Sequence, residues 1–294
     1  MTEAVIYDRG YRAYEGELLG RRATRRAIVK DGVRRILGLR RKTRRKVIPW
    51  GLLAIGMLMA AIVIGLHFAA GSIAGGVREG LPSYPNLFDL YSRIALLFIA
   101  ITGPELIGPD RAQGVLSVYF SRPLTVADYL RAKLSAYRWV TMGIYLVPQL
   151  ALHLGLAALS DDGFFTYLGG NLDVLWQVPF VALCYVAIHG GVLAVISSHV
   201  DRTGFGAAAF IGVIVAGNNL AGVLSRAGFP GARLLALLAL DSHPRYVRDW
   251  VFDVDLGEYA PEAAGFGPGI SLLVVAIVAV GGAAWMYRRY RRLA

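Results

Sequence analysis

Cysteine is nearly missing. Cys184 stands alone among 294 residues, which excludes an internal disulfide framework and any metal site built from several cysteines. Lysine is scarce as well, with only Lys30, Lys42, Lys46 and Lys133 among 31 basic residues. None of the four follows a glycine, so the phosphate-cradling pattern G-x-x-x-x-G-K-[ST] does not occur. If ATP drives this protein, another chain must bind the nucleotide. The zinc-protease pattern H-E-x-x-H is missing too. Charged residues make up 17% of the chain, against about 25% in ordinary soluble domains. Against those shortages stand a hydrophobic content of 56% and a mean hydropathy of +0.51. The combination reads as a polytopic membrane protein.

Catalytic chemistry finds little to work with. Ser197, Ser198 and His199 are adjacent, but neighbours on one helix do not face each other. Cys184 and His189 are five apart, a poor helical pairing. The expectation is a non-catalytic chain with no metal site. His153 and His189 fall inside apolar segments, where a lone histidine is expected to hydrogen-bond a neighbouring helix. The centres of the apolar segments hold no Asp or Glu, which disfavours proton-coupled transport.

Residues 1–46 carry 15 Arg and Lys against five acids. A tyrosine-rich opening, with Tyr7, Tyr11 and Tyr14, is broken by Gly10, Gly16 and Gly20. From about Arg21 the spacing of Val29, Val33, Ile36 and Leu37, among Arg25, Arg26 and Arg34, predicts a basic amphipathic helix lying among lipid headgroups. A basic run abutting a membrane span is explained by lipid before nucleic acid, so no nucleic-acid partner is expected. The first apolar run begins only at Val47, behind this segment, and no cleavable signal peptide is expected.

Six segments approach the ~20 apolar residues that ~30 Å of hydrocarbon requires. They are expected over about 48–69, 87–107, 136–159, 175–197, 205–224 and 270–287, the third interrupted by Pro148. Residues 1–46 then form an N-terminal extension and 47–294 one six-span domain. Asp89 and Arg93, four apart, can pair on one helix face. Letting the spans alternate places 25 of the 31 basic residues on the side of the N-terminus. Basic residues collect on the cytoplasmic side of membrane proteins, so both termini are expected in the cytoplasm. On the other side, Arg233–Leu240 is too short to span and reads as a re-entrant or interfacial helix. Ala208, Gly212 and Ala216 form a small-residue stripe on span five, followed by Asn218 and Asn219. That stripe suits a subunit interface or a pathway wall, and equally packing within one subunit. Gly281 and Gly282 on span six admit the same two readings.

The polar stretch between the second and third spans is the most informative. Pro109 can start a short helix with Asp110 in its first turn. Val115, Leu116, Val118, Tyr119 and Phe120 give it an apolar side, Ser121-Arg122-Pro123 stops it, and a second short helix follows with Asp128 near its start and Arg131 and Lys133 toward its end. Such a helix can dock into a groove on a soluble partner.

DRAQGVLSVYFSRPLTVADYLRAKL resembles the corresponding loop of ABC-2 type transporter permeases. That family shows an acidic residue, Gly-[TV]-Leu, [ST]-Arg-Pro-[LIV], a Tyr-Leu pair and a lysine entering the third span. This chain has Asp110, Gly114-Val115-Leu116, Ser121-Arg122-Pro123-Leu124, Tyr129-Leu130 and Lys133, with Ala132 where the family usually has glycine. The motif covers about 25 residues; the six-span layout extends the likeness along the chain. The tyrosine-rich opening resembles an extension of some actinobacterial members. The resemblance implies an all-α fold of the type V exporter kind, with an N-terminal interfacial helix, a coupling helix between spans two and three, and a short outer helix between spans five and six. It implies the permease subunit of an ABC exporter in a bacterial cytoplasmic membrane, moving a drug, lipid or peptide. Two ATPase subunits would hold the ATP and magnesium, and a second permease, identical or related, would complete the pathway. Asp110, Arg111, Gly114, Val115, Leu116, Tyr119 and Phe120 would then couple to the ATPase, with Arg122 and Pro123 as a rigid exit. The alternative is an ATP-independent secondary transporter or a membrane scaffold.

Overall fold

A computed structural model describes residues 20–39, 44–72, 80–120 and 124–292, in which every regular element is a helix and there is no strand. Six helical stretches are long and apolar enough to cross a membrane: Lys46–Gly71, Tyr84–Ala112, Val126–Ala158, Val174–His199, Thr203–Ser225 and Pro268–Arg291. Only helices and closed barrels satisfy every backbone polar group in hydrocarbon, so apolar runs of this length fold as they must.

Helix α1 (Gly20–Ile36) precedes the first span, which lies in α2 (Arg44–Ser72). Span two consists of α3 (Tyr84–Thr102) and α4 (Pro104–Ala112), joined at Gly103. After α5 (Leu116–Phe120), span three is one helix, α6 (Val126–Ala158). The separate short helix expected before span three therefore does not form. Thr125 caps α6, accepting from the Asp128 backbone N–H at 3.2 Å, while the Asp128 carboxylate accepts from the Thr125 N–H at 3.2 Å. Nor does Pro148 interrupt the helix; it lies buried within it. Proline is tolerated in membrane helices where neighbours satisfy the freed carbonyl.

Beyond α7 (Phe164–Gly170), α8 (Val174–His199) is span four. Span five is α9 (Thr203–Ile211) and α10 (Gly217–Ser225), joined by a wide π-helical turn at Gly212–Ala216. The long connection that follows holds a 3₁₀ turn (Ala232–Leu238), α11 (Ser242–Phe252) and α12 (Ala260–Ala263) before span six, α13 (Pro268–Arg291).

Spans two, three and four form the interior. Phe88 stacks on Tyr185 with ring planes 4° apart, and Tyr145 meets Tyr185 at 5.4 Å between centroids. Spans one, five and six keep most of their surface exposed. Span six packs tightly on span four, because a Cβ on Gly282 would strike the backbone of Gly191 and one on Gly191 the backbone of Val278. Gly282 thus serves packing within the subunit, the second of the two uses its composition allows. On span five, Ala208, Gly212 and Ala216 all face outward.

Helix α1 is anchored to the bundle through its apolar side. Ile28, Gly32 and Ile36 are buried, and Val29, Val33 and Leu37 pack partly buried on the same core. Gly32 lets α1 cross α6 closely, since a Cβ there would come within 2.7 Å of Ala136. The apolar face of α1 thus packs on protein. Two buried isoleucines stabilise that seat by about 1.5–3 kcal/mol each.

Candidate functional site

The candidate site is where α1, the loop after span two and the start of span three converge. Its centre is Asp110, whose side chain is 4% exposed. Asp110 Oδ1 accepts a hydrogen bond from Arg35 Nη1 at 2.7 Å. Asp110 Oδ2 accepts from the Tyr129 hydroxyl at 2.8 Å and lies 2.7 Å from Lys133 Nζ. Lys133 is 1% exposed, and its ammonium also sits 5.5 Å from the centre of the Tyr129 ring. Arg35 pairs in addition with Asp31 at 3.3 Å, one turn back on α1. Two cations and two carboxylates thus balance. Burial works against the Arg35 charge, but the Asp110 hydrogen bond and charge outweigh it and hold the guanidinium above its ordinary value.

Tyr129 is enclosed by aromatic rings. Tyr119 lies 5.3 Å and Phe120 6.1 Å from it, both from α5, and Tyr290 of α13 stacks at 6.4 Å. Burial, followed by the Asp110 charge, raises the Tyr119 phenol above its usual value. The loop is therefore wired to three elements: span three through Lys133 and Tyr129, the N-terminal helix through Arg35, and span six through Tyr290.

This geometry corrects the expected docking helix. Residues 110–120 are not one helix, because α4 carries Pro109 and Asp110 inside it and ends at Ala112. Gly114 then adopts φ +65°. Its N–H bonds the Arg111 carbonyl at 3.1 Å, and the Val115 N–H bonds the Asp110 carbonyl at 3.0 Å. This is the left-handed helix end that favours glycine. Asp110 is committed to internal ion pairs instead of facing a partner. Arg111 also turns inward, donating from Nε to Asp201 at 2.7 Å and from Nη1 to the Ser198 carbonyl at the end of span four. Arg289 of α13 donates to that same carbonyl at 2.5 Å. Cations suit a helix C-terminus, whose last carbonyls lack partners. Leu116 is buried, Val115 is half-buried, and Tyr119 and Phe120 face Tyr129. Among the loop's described residues, Ala112, Gln113, Gly114 and Ser117 are exposed. Arg122 and Pro123 lie outside the described residues.

The remaining predicted positions separate. Arg25 lies 3.6 Å from Asp128, which also accepts from Arg21 Nε at 2.6 Å. Arg26 is exposed and Arg34 half-buried. Asn218 and Asn219 do not act together. Asn218 accepts from the Ser242 N–H and hydroxyl at 2.9 and 3.0 Å, while Asn219 bonds the Val215 carbonyl at 2.7 Å within its own span.

A second charged cluster, on the opposite side, escaped the sequence reading. Arg248 of α11 is fully buried, 2.6 Å from Asp249 and 3.1 Å from Asp89 at the start of span two. It also donates to the Tyr259 hydroxyl at 2.7 Å. Asp89 pairs with Arg93 as expected, at 3.7 Å. Asp241 pairs with Arg245 at 2.5 Å and lies 3.4 Å from His189 Nε2 in span four. His153 bonds the Tyr84 hydroxyl at 2.7 Å. Both intramembrane histidines thus reach another element. His243 is buried between Ser271 and the Leu237 carbonyl, at 3.0 and 3.1 Å.

Among the described residues no group of three His, Cys, Asp or Glu side chains converges as metal ligands. Neither a scan against protein-family models nor a search of curated proteins returns a match for this chain.

Proposed function

We propose that the chain is the membrane subunit of an ATP-driven transporter of the ABC-2 permease kind, exporting a hydrophobic or amphipathic substrate. Its energy comes from ATPase subunits that bind the nucleotide. The basic side, with both termini, faces the cytoplasm. A second permease completes the pathway. One observation carries this reading: the loop after span two presents a short exposed turn, Ala112–Gly114 with Ser117, on a base ion-paired into span three and α1. A push on that turn has a stiff route into the spans, which a merely solvated loop lacks. The Gly114 and Lys133 positions of the loop motif acquire physical reasons from the same geometry.

The test is transport by the full chain, purified with its ATPase, in vesicles. Uptake should require ATP and fall sharply when Gln113 and Ser117 are replaced by bulky acidic residues. ATP-independent uptake would count against it. One observation favours a second reading, proton-coupled transport: His189 is buried beside Asp241, and its Nδ1 has no hydrogen-bond partner. Under that reading a proton gradient alone drives uptake, and His189→Gln abolishes it.

A further inference from the structure

The face of α1 turned away from Asp110 borders a groove of about 760 Å³ against the first turns of span three. Arg22, Arg25, Arg26 and Lys30 line it from α1, and Arg131 lines it from α6 with Ala132 and Ser135. Among the described residues no carboxylate lines it. Arg25 alone approaches an acid, Asp128 at 3.6 Å. Among the described residues Arg22, Arg26, Lys30 and Arg131 have no ion-pair partner. Five cations facing one groove repel each other, and a protein that needed them only for solubility would intersperse acids.

We propose that this groove is a discrete site for the phosphate of an anionic phospholipid. Its depth argues for lipid. Arg131 and Ser135 belong to the first turns of a membrane span. Trp139, one turn further along, is 65% exposed, with the Arg138 guanidinium 5.9 Å from its ring. Trp50, at the start of span one, is also exposed. Exposed tryptophans mark the membrane–water boundary, so the groove lies at headgroup level, where the bilayer itself supplies phosphate. Guanidinium groups match phosphate oxygens in paired hydrogen bonds. Because both helices line the groove, an occupied site clamps α1 onto span three. This inference rests on the spans alone and does not depend on an ATPase partner.

The test uses the full chain in neutral detergent, titrated with phosphatidylglycerol, phosphatidylcholine or inorganic phosphate and followed by native mass spectrometry. Phosphatidylglycerol should bind saturably, and phosphatidylcholine at least about tenfold more weakly. Replacing Arg26→Gln with Arg131→Gln should weaken phosphatidylglycerol binding by about tenfold or more, as loss of two cations near an anionic headgroup implies. Replacing Arg288→Gln with Arg291→Gln, on the same side but off the groove, should leave it within about twofold. Should the first pair fail to fold, Lys30→Gln alone should give about a fivefold loss. Equal losses from the two pairs would overturn the proposal, reducing it to general surface charge. Equal binding of phosphatidylcholine would overturn it too. Displacement of the lipid by millimolar inorganic phosphate would show a site for free phosphate instead.

Discussion

Asp110 holds Arg35, Tyr129 and Lys133 together, so its loss is felt by α1 and α6 as well as by its own α4. Asp110→Asn leaves Lys133 buried without its counter-charge, a change that costs about 3–5 kcal/mol. Asp110→Asn with Lys133→Met removes both charges and should recover most of the lost thermal stability. Thermal unfolding followed by size exclusion decides it, and a single variant as stable as the parent would contradict the assignment. Gly114 makes a finer test. A Cβ there meets nothing within 4 Å, so only the backbone opposes substitution. Gly114→Ala should cost about 1–2 kcal/mol and Gly114→Asn less, because asparagine tolerates the left-handed region. Equal losses would mean that φ is not the constraint. His243 supplies a pH dependence. Burial holds its imidazole below the ordinary value, more than the Leu237 carbonyl raises it. As pH falls below about 6.5, the unfolded chain therefore takes up a proton that the folded chain refuses. Stability is full above that pH and declines below it. The thermal midpoint should drop less in His243→Gln than in the parent between about pH 7 and 5.5, and equal drops would refute the buried neutral histidine.

The elements divide into those that local pattern reveals and those that distant partners decide. The spans are legible because ~20 apolar residues in sequence have one way to cross hydrocarbon. The start of α6 carries a local signal as well, the capping-box spacing of Thr125 and Asp128, but the apolar run begins later and favours reading a separate short helix there. The loop was misread for a physical reason. Pro109 looks like a helix start, but α4 begins at Pro104 and accommodates Pro109 at the loss of one backbone bond. The partner of Asp110 on α1 lies 75 residues away, beyond any local periodicity. Lys133 carried the signal that was available, as the one lysine beyond residue 46, sitting at the start of an apolar helix where charge demands a partner. The two anchors of α1 should differ in strength. Both carboxylates are buried, but Arg21 is 54% exposed where Arg35 is 18% exposed. Exposed pairs contribute about 0–1 kcal/mol. Arg21→Ala should therefore barely change hydrogen exchange in α1, while Arg35→Ala should speed it severalfold. The reverse order would place the anchor at the wrong end.

For the whole molecule, the two charged clusters sit at opposite ends of the same interior. One ties the loop after span two to α1, span three and span six. The other ties α11 to spans two and four through Arg248 and Asp241. Between them, spans two, three and four pack around Phe88, Tyr145 and Tyr185, and spans one, five and six offer apolar surface outward. A bundle braced this way at both ends passes a displacement of one end through packed helices. Under the proposed function, an ATPase pushes on the exposed turn. The most direct measurement places a photo-crosslinking residue at Gln113 in the full chain within its native membranes. A matching probe goes at Phe165, which is 84% exposed on the opposite side. A crosslink is expected from Gln113 to a nucleotide-binding ATPase chain and none from Phe165. No ATPase crosslinked at Gln113, with transport persisting after ATP is depleted, would contradict it.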